Sequence, residues 1–155
     1  MRSIQSGTFL RDSVTEYFSR LPGFGKEKER IRILIGFSGG PDSVCLMTVL
    51  DELSENLNID IVLAYFNHRI RPAEELAEEM AFIRTLAAEK NLELHIGEDA
   101  GEIERDSVSL GVECAARKAR YGFFHSLLEK TGCRYLALAH NLDDTVETIV
   151  MRFFK

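Results

Sequence analysis

The sequence predicts an α/β fold built as a doubly wound parallel sheet with helices on both faces. Segments of strand composition alternate with segments of helical periodicity along the chain, which is the pattern of parallel strands joined by crossover helices. The 155 residues, 45% of them hydrophobic, suffice for a single core. We therefore divide the chain into an N-terminal helix with its linker, residues 1–25, and one domain at residues 26–155.

Apolar, β-rich runs mark the four expected strands. The first begins at Ile33, the second covers residues 59–66, and the third alternates in polarity over residues 92–96. The fourth covers residues 134–139, after the breaker Gly132. Helical segments separate all four strands, as the crossovers of a parallel sheet require.

Helices are expected where apolar residues recur at spacings of three and four. Pro22 and the glycine after it end the first helix, whereas Pro41 and Pro72 can open the second and the third. The expected helices are 8–20, 41–56, 72–90, 110–130 and 143–154. Residues 97–109 are polar, acidic and without a firm period, and we expect a loop there.

Polar clusters follow three of the expected strands, at residues 38–43, 67–71 and 140–144. Ligands of open parallel sheets bind outside the carboxyl ends of the strands, where these clusters would meet. The first cluster is the most specific, because between a strand and a helix it reads Ser38-Gly39-Gly40-Pro41-Asp42-Ser43. Backbone N–H groups at the two glycines and at the helix N-terminus would form an anion site, and the pyrophosphate end of a nucleotide is the anion we expect.

This loop differs from other phosphate-binding loops. It lacks the Gly-Lys-Ser/Thr of a Walker A motif and the glycine spacing of the dinucleotide fingerprint. Ser38 and Ser43 would add hydroxyl donors to the backbone cradle. The carboxylate of Asp42 would repel phosphates unless Mg²⁺ lay between them, which makes Asp42 a candidate metal ligand.

The second cluster begins at the end of the second strand with Phe66, Asn67 and His68. Beside the glycine loop these residues would lie near a bound nucleoside, and Arg71 could contact phosphate or a substrate. A solvated loop that ends in the helix-opening Pro72 is the alternative, and the two interpretations are evenly balanced.

A further stripe lies on the predicted helix 110–130. Glu113, Arg117 and Arg120 share one face of that helix, and Tyr121 lies one turn from Arg117. The guanidinium groups could bind a phosphate or an RNA backbone. On chemistry alone, an ordinary salt-bridged surface is the preferred interpretation of this stripe.

The third cluster joins the fourth strand to the last expected helix. Its candidate site residues are His140, Asp143, Asp144 and Glu147. Asp144 and Glu147 are three residues apart and would face one side of the helix, where they could hold Mg²⁺ or an ammonium group. Capping of the helix by Asn141 or Asp143 explains only part of this cluster.

The loop at 38–43 resembles the PP-loop of the ATP pyrophosphatase superfamily, whose fold is the adenine nucleotide alpha-hydrolase-like fold. With the clusters at 67–71, 113–121 and 139–148, in this order, the chain resembles the N-terminal catalytic domain of the tRNA(Ile)-lysidine synthetases over about residues 30–155. That resemblance implies an ATP-dependent carbon–nitrogen ligase: ATP adenylylates the wobble cytidine of an isoleucine tRNA, and the lysine side-chain amine displaces AMP to give lysidine.

The resemblance also implies roles for the residues. Residues 38–43 would bind ATP, Asp42 would help to hold Mg²⁺, and Arg117 or Arg120 would stabilise substrate or transition-state charge. The remaining expected assignments are Phe66, Asn67 and His68 at the nucleotide, Arg71, Glu113, Asp143, Asp144 and Glu147 at the substrate, His140 as a catalytic residue and Asp144 as a second metal ligand.

The expected cofactors and partners are ATP, Mg²⁺, L-lysine and a tRNA(Ile) with a CAU anticodon, and a homodimer is a candidate assembly. We expect no membrane span, because no apolar run reaches the necessary length, and the three cysteines without metal spacing fit reduced thiols and a cytoplasmic location. The net charge of −6 argues against a general polyanion surface. The basic tRNA-binding surface would then lie in C-terminal regions that follow this segment in the family.

Two alternatives remain open from the sequence. One is a tRNA thiolase of the same superfamily, which would adenylylate a base and deliver sulfur. Thiolases usually place a Cys-x-x-Cys pair near the arginine helix, whereas Cys114 is a single cysteine there. The other is an ATP-binding module without independent activity.

Overall fold

A computed structural model of the protein describes residues 3–21, 24, 29–69, 72–142 and 146–153. Its strands are β1 Ile31–Gly36, β2 Ile59–Asn67, β3 Glu93–Glu98, β4 Tyr135–Leu142 and β5 Val146–Phe153. Its helices are α1 Ser3–Ser19, α2 Pro41–Leu57, α3 Ala73–Glu89, α4 Glu102–Leu110 and α5 Val112–Thr131. None of these described helices combines the length and the apolar run that crossing a bilayer requires.

The five strands form one sheet in the order β3-β2-β1-β4-β5. β1 pairs in parallel with β2 and with β4, and β2 pairs in parallel with β3. β5 pairs antiparallel with β4 at the edge of the sheet. The predicted parallel α/β sheet is therefore confirmed, with one antiparallel strand added.

Both faces of the sheet are apolar and covered by helices. Ile33 and Ile35 of β1 belong to a core that also contains residues of α1, α2 and α3, among them the fully buried Ile83. Leu34, which points to the opposite face, belongs to a second core with Phe124 of α5. This alternation explains why β1 is hydrophobic at each position from Ile33 to Ile35, as expected of a parallel strand that is buried on both faces.

The chain order places a crevice beside the end of β1. From β1 the chain passes through α2 to β2 on one side, whereas β4, the other neighbour of β1, is reached from β3 through α4 and α5. Because the chain continues from β1 to β2 and from β4 to β5, on opposite sides in the sheet order, the carboxyl ends of β1 and β4 flank a topological switch point.

The predicted loop at 97–109 is wrong. β3 continues to Glu98, and α4 begins at Glu102. The buried Asp99 carboxylate accepts hydrogen bonds from the backbone N–H groups of Gly101 (3.2 Å), Glu102 (3.1 Å) and Ile103 (3.2 Å). This cap before the helix and the burial of Ile103 against Ala115 and Ala119 of α5 stabilise α4. Both are contacts with residues outside the helix, which the local sequence does not show.

The predicted last helix at 143–154 is also wrong, since residues 146–153 form β5. The β-branched residues Val146, Thr148, Ile149 and Val150 favour extended backbone, and pairing with β4 satisfies their backbone groups. β4 itself extends to Leu142, so His140 lies in a strand, opposite Thr148.

Candidate functional site

A cleft of about 670 Å³ opens at the carboxyl ends of β1, β2 and β4. The loop after β1 forms one wall, and the end of β2 forms another. Arg120 and Phe124 also line the cleft; they belong to α5, which covers the face of the sheet opposite to α2 and α3. Glu79 of α3 also lines the cleft. Its size is that of pockets that bind small molecules and cofactors.

Gly39 gives the loop after β1 its shape. Its φ of +74° lies in the left-handed region, which residues with a Cβ atom adopt only at a cost. A Cβ atom at this position would lie 3.3 Å from two side-chain carbons of the fully buried Ile83. Glycine at residue 39 therefore allows this backbone conformation and this close approach to α3 without strain.

The two serines of the loop are bonded to the loop itself. The buried Ser43 hydroxyl donates to the carbonyl of Gly40 (2.9 Å) and accepts from the backbone N–H and the hydroxyl of Ser38 (3.3 and 3.2 Å). These bonds brace the turn between β1 and α2. The backbone N–H of Gly40 also donates within the loop, to the Ser38 hydroxyl (3.4 Å).

The N-terminus of α2 faces this loop. Gly40 is the N-cap and supplies no side-chain cap, and Pro41 occupies the first helical position. The first N–H groups of a helix have no partner within the helix, and the helix dipole makes this end attractive to anions. Asp42 lies in the first turn with its side chain exposed.

Asn67 organises the turn at the end of β2. Its side chain, 4% exposed, donates from Nδ2 to Glu98 Oε1 (3.2 Å) and accepts at Oδ1 from the backbone N–H of Arg69 (2.8 Å). Arg69, whose φ is +56°, also forms an ion pair with Glu98 at 2.8 Å. These bonds fix the turn to the end of β3, and His68 lies in the turn between Asn67 and Arg69.

Two residues that line the cleft each have a buried side-chain nitrogen with no hydrogen-bond partner in the described part of the chain: His68 Nδ1 and Arg120 Nε. Buried polar atoms are almost always hydrogen-bonded, so such a pair requires an explanation. Both residues line the cleft, one from the end of β2 and one from α5. A ligand in the cleft would pair with both once these side chains turned toward it, by offering an acceptor to Arg120 Nε and, according to the imidazole tautomer, an acceptor or a donor to His68 Nδ1.

Burial also affects the ionisation of these two groups. Desolvation lowers the pKa of His68, and the charge of Arg120 lowers it further, while Asp99 acts in the opposite direction. Desolvation likewise lowers the pKa of Arg120 from its ordinary value, with a smaller effect of Arg117. A guanidinium in this environment gains from an anionic ligand that offsets the lost hydration.

The arginine stripe of α5 divides between the cleft and the surface. Arg120 is half-buried and lines the cleft, whereas Glu113 and Arg117 are exposed. The guanidinium carbons of Arg117 and Arg120 lie 5.2 and 5.9 Å from the ring centroid of Tyr121. Both guanidinium groups thus pack near the same aromatic ring: Arg117 on the exposed side and Arg120 on the side of the cleft.

Comparison with known proteins identifies the fold and the loop together. The sequence profile of a family described as a PP-loop domain matches residues 13–155. The chain belongs to the PP-loop domain family. The resemblance of the loop at 38–43 to the PP-loop is confirmed.

Curated relatives of this PP-loop domain are named tRNA(Ile)-lysidine synthase. The protein of Borreliella afzelii is 40% identical over 126 residues, which cover 80% of this chain and 28% of the relative. That of Clostridium perfringens is 36% identical over 134 residues (83% and 28%), and that of Clostridioides difficile 34% over 124 residues (80% and 27%). The chain thus spans little more than a quarter of the length of these relatives.

A solved structure shares the fold of this PP-loop domain. The U34-tRNA thiolase NcsA from Methanococcus maripaludis, determined with its 4Fe-4S cluster, superposes with a TM-score of 0.68. The match covers 91% of this chain and 46% of the thiolase chain, at 20% sequence identity. At that identity the likeness shows the fold alone.

Several predicted site residues lie outside the described residues of the PP-loop domain. Arg71, Asp143 and Asp144 are among them, and so are the side chains of His140 and Glu147. Because 146–153 is a strand, the argument that put Asp144 and Glu147 on one side of a helix no longer holds. In the described part of the chain, no three or more His, Cys, Asp or Glu side chains are grouped so that they could hold a metal ion.

Sequence reasoning missed three acidic residues at or near the cleft. Glu79 lines it, and Glu98 and Asp99 fix the turns beside it. The rule that located the other clusters would have found Glu98 and Asp99, since they end a strand. They were missed because the third strand was expected to end at residue 96.

Proposed function

We propose that the cleft of this PP-loop domain binds ATP with its phosphates at residues 38–43 and activates an acceptor by adenylylation. The observation that carries this proposal is that His68 and Arg120, which line the same cleft as the glycine loop, each have a buried side-chain nitrogen without a partner in the described part of the chain, His68 Nδ1 and Arg120 Nε. A nucleoside triphosphate supplies both anionic oxygens and neutral acceptors. The loop, the helix N-terminus and the cavity volume are all suited to such a ligand.

The residues present also suit Mg²⁺ bound together with ATP. Mg²⁺ is commonly held by one or two carboxylates plus substrate phosphates rather than by an all-protein cage. Asp42, in the first turn of α2, is the proposed protein ligand, and Asp144 is the predicted second one. The ion would neutralise phosphate charge and favour the departure of pyrophosphate.

For the reaction we propose the synthesis of lysidine on tRNA(Ile). The comparisons support the coarser statement of a PP-loop enzyme of tRNA modification, because the curated relatives bear the name tRNA(Ile)-lysidine synthase. In the proposed first step the cytosine oxygen at carbon 2 attacks the α-phosphorus, and pyrophosphate leaves. In the second step the lysine side-chain amine attacks carbon 2, and AMP leaves.

In these steps the described residues would bind the nucleotide and the phosphate groups of the substrates. Arg120, desolvated at the cleft wall, would stabilise negative charge that develops on the α-phosphate. His68 would contact an acceptor atom of the nucleotide. Arg117, exposed beside Tyr121, is suited to a tRNA phosphate. Glu113, Asp143, Asp144 and Glu147 remain the predicted residues for the lysine substrate.

A test of the nucleotide site measures the affinity for an ATP analogue with a non-hydrolysable α,β-bridge. Arg120→Ala and His68→Ala should each weaken binding about tenfold or more, since a hydrogen bond to a charged group contributes about 1.5–3 kcal/mol. Arg117→Ala is the matched control, because this arginine lies one turn away and is exposed. Equal effects of all three variants would contradict the assignment of Arg120 and His68.

A test of the reaction uses a chimera in which the matched segment of this chain replaces its counterpart in the Borreliella afzelii relative. The chimera is incubated with ATP, Mg²⁺, labelled lysine and a tRNA(Ile) with a CAU anticodon. Label that stays on the tRNA supports lysidine synthesis. Sulfur incorporation in a parallel incubation supplied with a sulfide donor would favour the thiolase, and nucleotide binding followed by no lysine transfer would favour the ATP-binding module.

A further inference from the structure

Glu98, at the carboxyl end of β3, contacts both residues that flank His68. Its two carboxylate oxygens are used separately: Oε1 accepts from Asn67 Nδ2 at 3.2 Å, and Oε2 lies 2.8 Å from Nη2 of Arg69. Glu98 and Asn67 are register partners in the parallel pair β2–β3. Glu98 belongs to none of the four sequence motifs.

Further hydrogen bonds close this arrangement into a ring. Asn67 Oδ1 accepts from the backbone N–H of Arg69 (2.8 Å), and the Asn67 carbonyl accepts from the backbone N–H of Asp99 (3.0 Å). Arg69 has a φ of +56°, which is unfavourable for a residue with a Cβ atom. Surrounding contacts must maintain such a conformation, and the bonds from Asn67 and Glu98 do so.

His68 lies between the two residues that these hydrogen bonds hold in place. Its ring packs edge-on against Phe66, with 5.0 Å between centroids, and its Nδ1 is buried without a partner in the described part of the chain. The residues on either side of His68 are both bound to Glu98. Glu98 thus fixes the chain on both sides of the imidazole.

Stability is a poor explanation for this ion pair. The side chains of Arg69 and Glu98 are 59% and 51% exposed, and ion pairs at such exposure contribute little to folding. The left-handed backbone at Arg69 also costs free energy. An arrangement that gains little in stability and carries strain beside a cleft is typical of a functional site.

We propose that Glu98 is a positioning residue for His68: it fixes the turn at residues 67–69 so that the imidazole points into the cleft. The effect of Glu98 on the affinity for ATP rests on the proposed nucleotide site, whereas its effect on the position of the imidazole does not. Glu98 does not itself contact the nucleotide in this proposal.

The first measurement follows the His68 imidazole by NMR in Glu98→Ala, with His68→Gln to assign the resonance. Release of the turn should expose the ring, so the titration midpoint of His68 should rise toward the ordinary value of 6.5. Loss of the negative charge alone would lower the midpoint, so the sign separates the two effects. Glu93→Ala is the matched control, because Glu93 lies at the other end of β3, is 45% exposed and also pairs with an arginine.

The second measurement is the affinity for the non-hydrolysable ATP analogue in a double-mutant cycle. Glu98→Ala should weaken binding about tenfold in the wild-type background and have no further effect in His68→Ala, as expected of residues that act through one another. Glu93→Ala should bind like the wild type. Thermal unfolding of each variant verifies that it is folded.

The outcomes separate the two proposals. Wild-type protein that binds no analogue contradicts the nucleotide site, and the imidazole titration then still decides the role of Glu98. An unchanged or lowered midpoint in Glu98→Ala overturns the positioning role, and so do additive losses of affinity in the double mutant.

Discussion

Replacement of Gly39 by alanine tests whether the shape of the loop after β1 makes the binding site. Gly39 has a φ of +74°, and an added Cβ atom would lie 3.3 Å from two carbons of Ile83. Ile83 is fully buried, so it cannot move aside without disturbing the core. The variant must therefore either keep a strained loop or adopt a different loop path.

The size of the effect follows from these two terms. A left-handed backbone costs a residue with a Cβ atom roughly 1–2 kcal/mol, and the close contact with Ile83 adds to this cost. The free energy of unfolding should fall by at least that much, which corresponds to about 2–4 °C in Tm per kcal/mol for a domain of this size. If the loop relaxes instead, its N–H groups leave the phosphate site and ATP affinity should fall about tenfold or more.

Two other glycines provide controls for this measurement. Gly132 has a φ of +67° and no atom within 4 Å of an added Cβ, so Gly132→Ala carries the backbone strain without the contact. Gly122 lies inside α5 with open space around it, and Gly122→Ala should raise stability by about 0.5–1 kcal/mol through helix propensity. Neither glycine lines the cleft.

Chemical denaturation and calorimetry with the ATP analogue would be run on all three variants. We expect loss of affinity in Gly39→Ala alone. Wild-type affinity in Gly39→Ala, together with a stability loss equal to that of Gly132→Ala, would refute the claim that this loop shape forms the site.

Three further predictions concern charge and burial. Arg120→Met should keep or raise the Tm while weakening ATP affinity about tenfold, because it removes a desolvated charge, whereas Arg117→Met should change neither. His95 and Arg32 hold the pKa of Glu93 below its ordinary value. The contribution of Glu93 to the free energy of unfolding is therefore complete above about pH 4.5 and is lost as the pH falls below that value. In urea titrations, Glu93→Gln should reduce the loss of stability at acid pH. Burial raises the pKa of the Cys133 thiol, so a thiol reagent should label the two exposed cysteines fast and Cys133 slowly.

The sequence predicts the parts of the fold that are set by local chemistry. Strand and helix periods predict the parallel sheet, and Pro41 after two glycines predicts the loop and the start of α2 within a residue. The position of His68 at the end of a strand predicts its place in the cleft.

What the sequence does not predict depends on partners that are distant along the chain or lie outside an element. α4 depends on the Asp99 cap that precedes it, and β5 depends on pairing with the edge of β4. Glu98 acts through Asn67, 31 residues earlier, a contact that follows only from the parallel register. The division of the arginine stripe depends on how α5 lies on the sheet, which spacing alone does not give.

The most direct test of the central claim is a crystal structure of this chain with Mg²⁺ and the non-hydrolysable ATP analogue. Our account predicts phosphates against the loop at residues 38–43 and ligand atoms within hydrogen-bond distance of His68 Nδ1 and Arg120 Nε. A nucleotide bound elsewhere, or one in the cleft that leaves both nitrogens unpartnered, would contradict it.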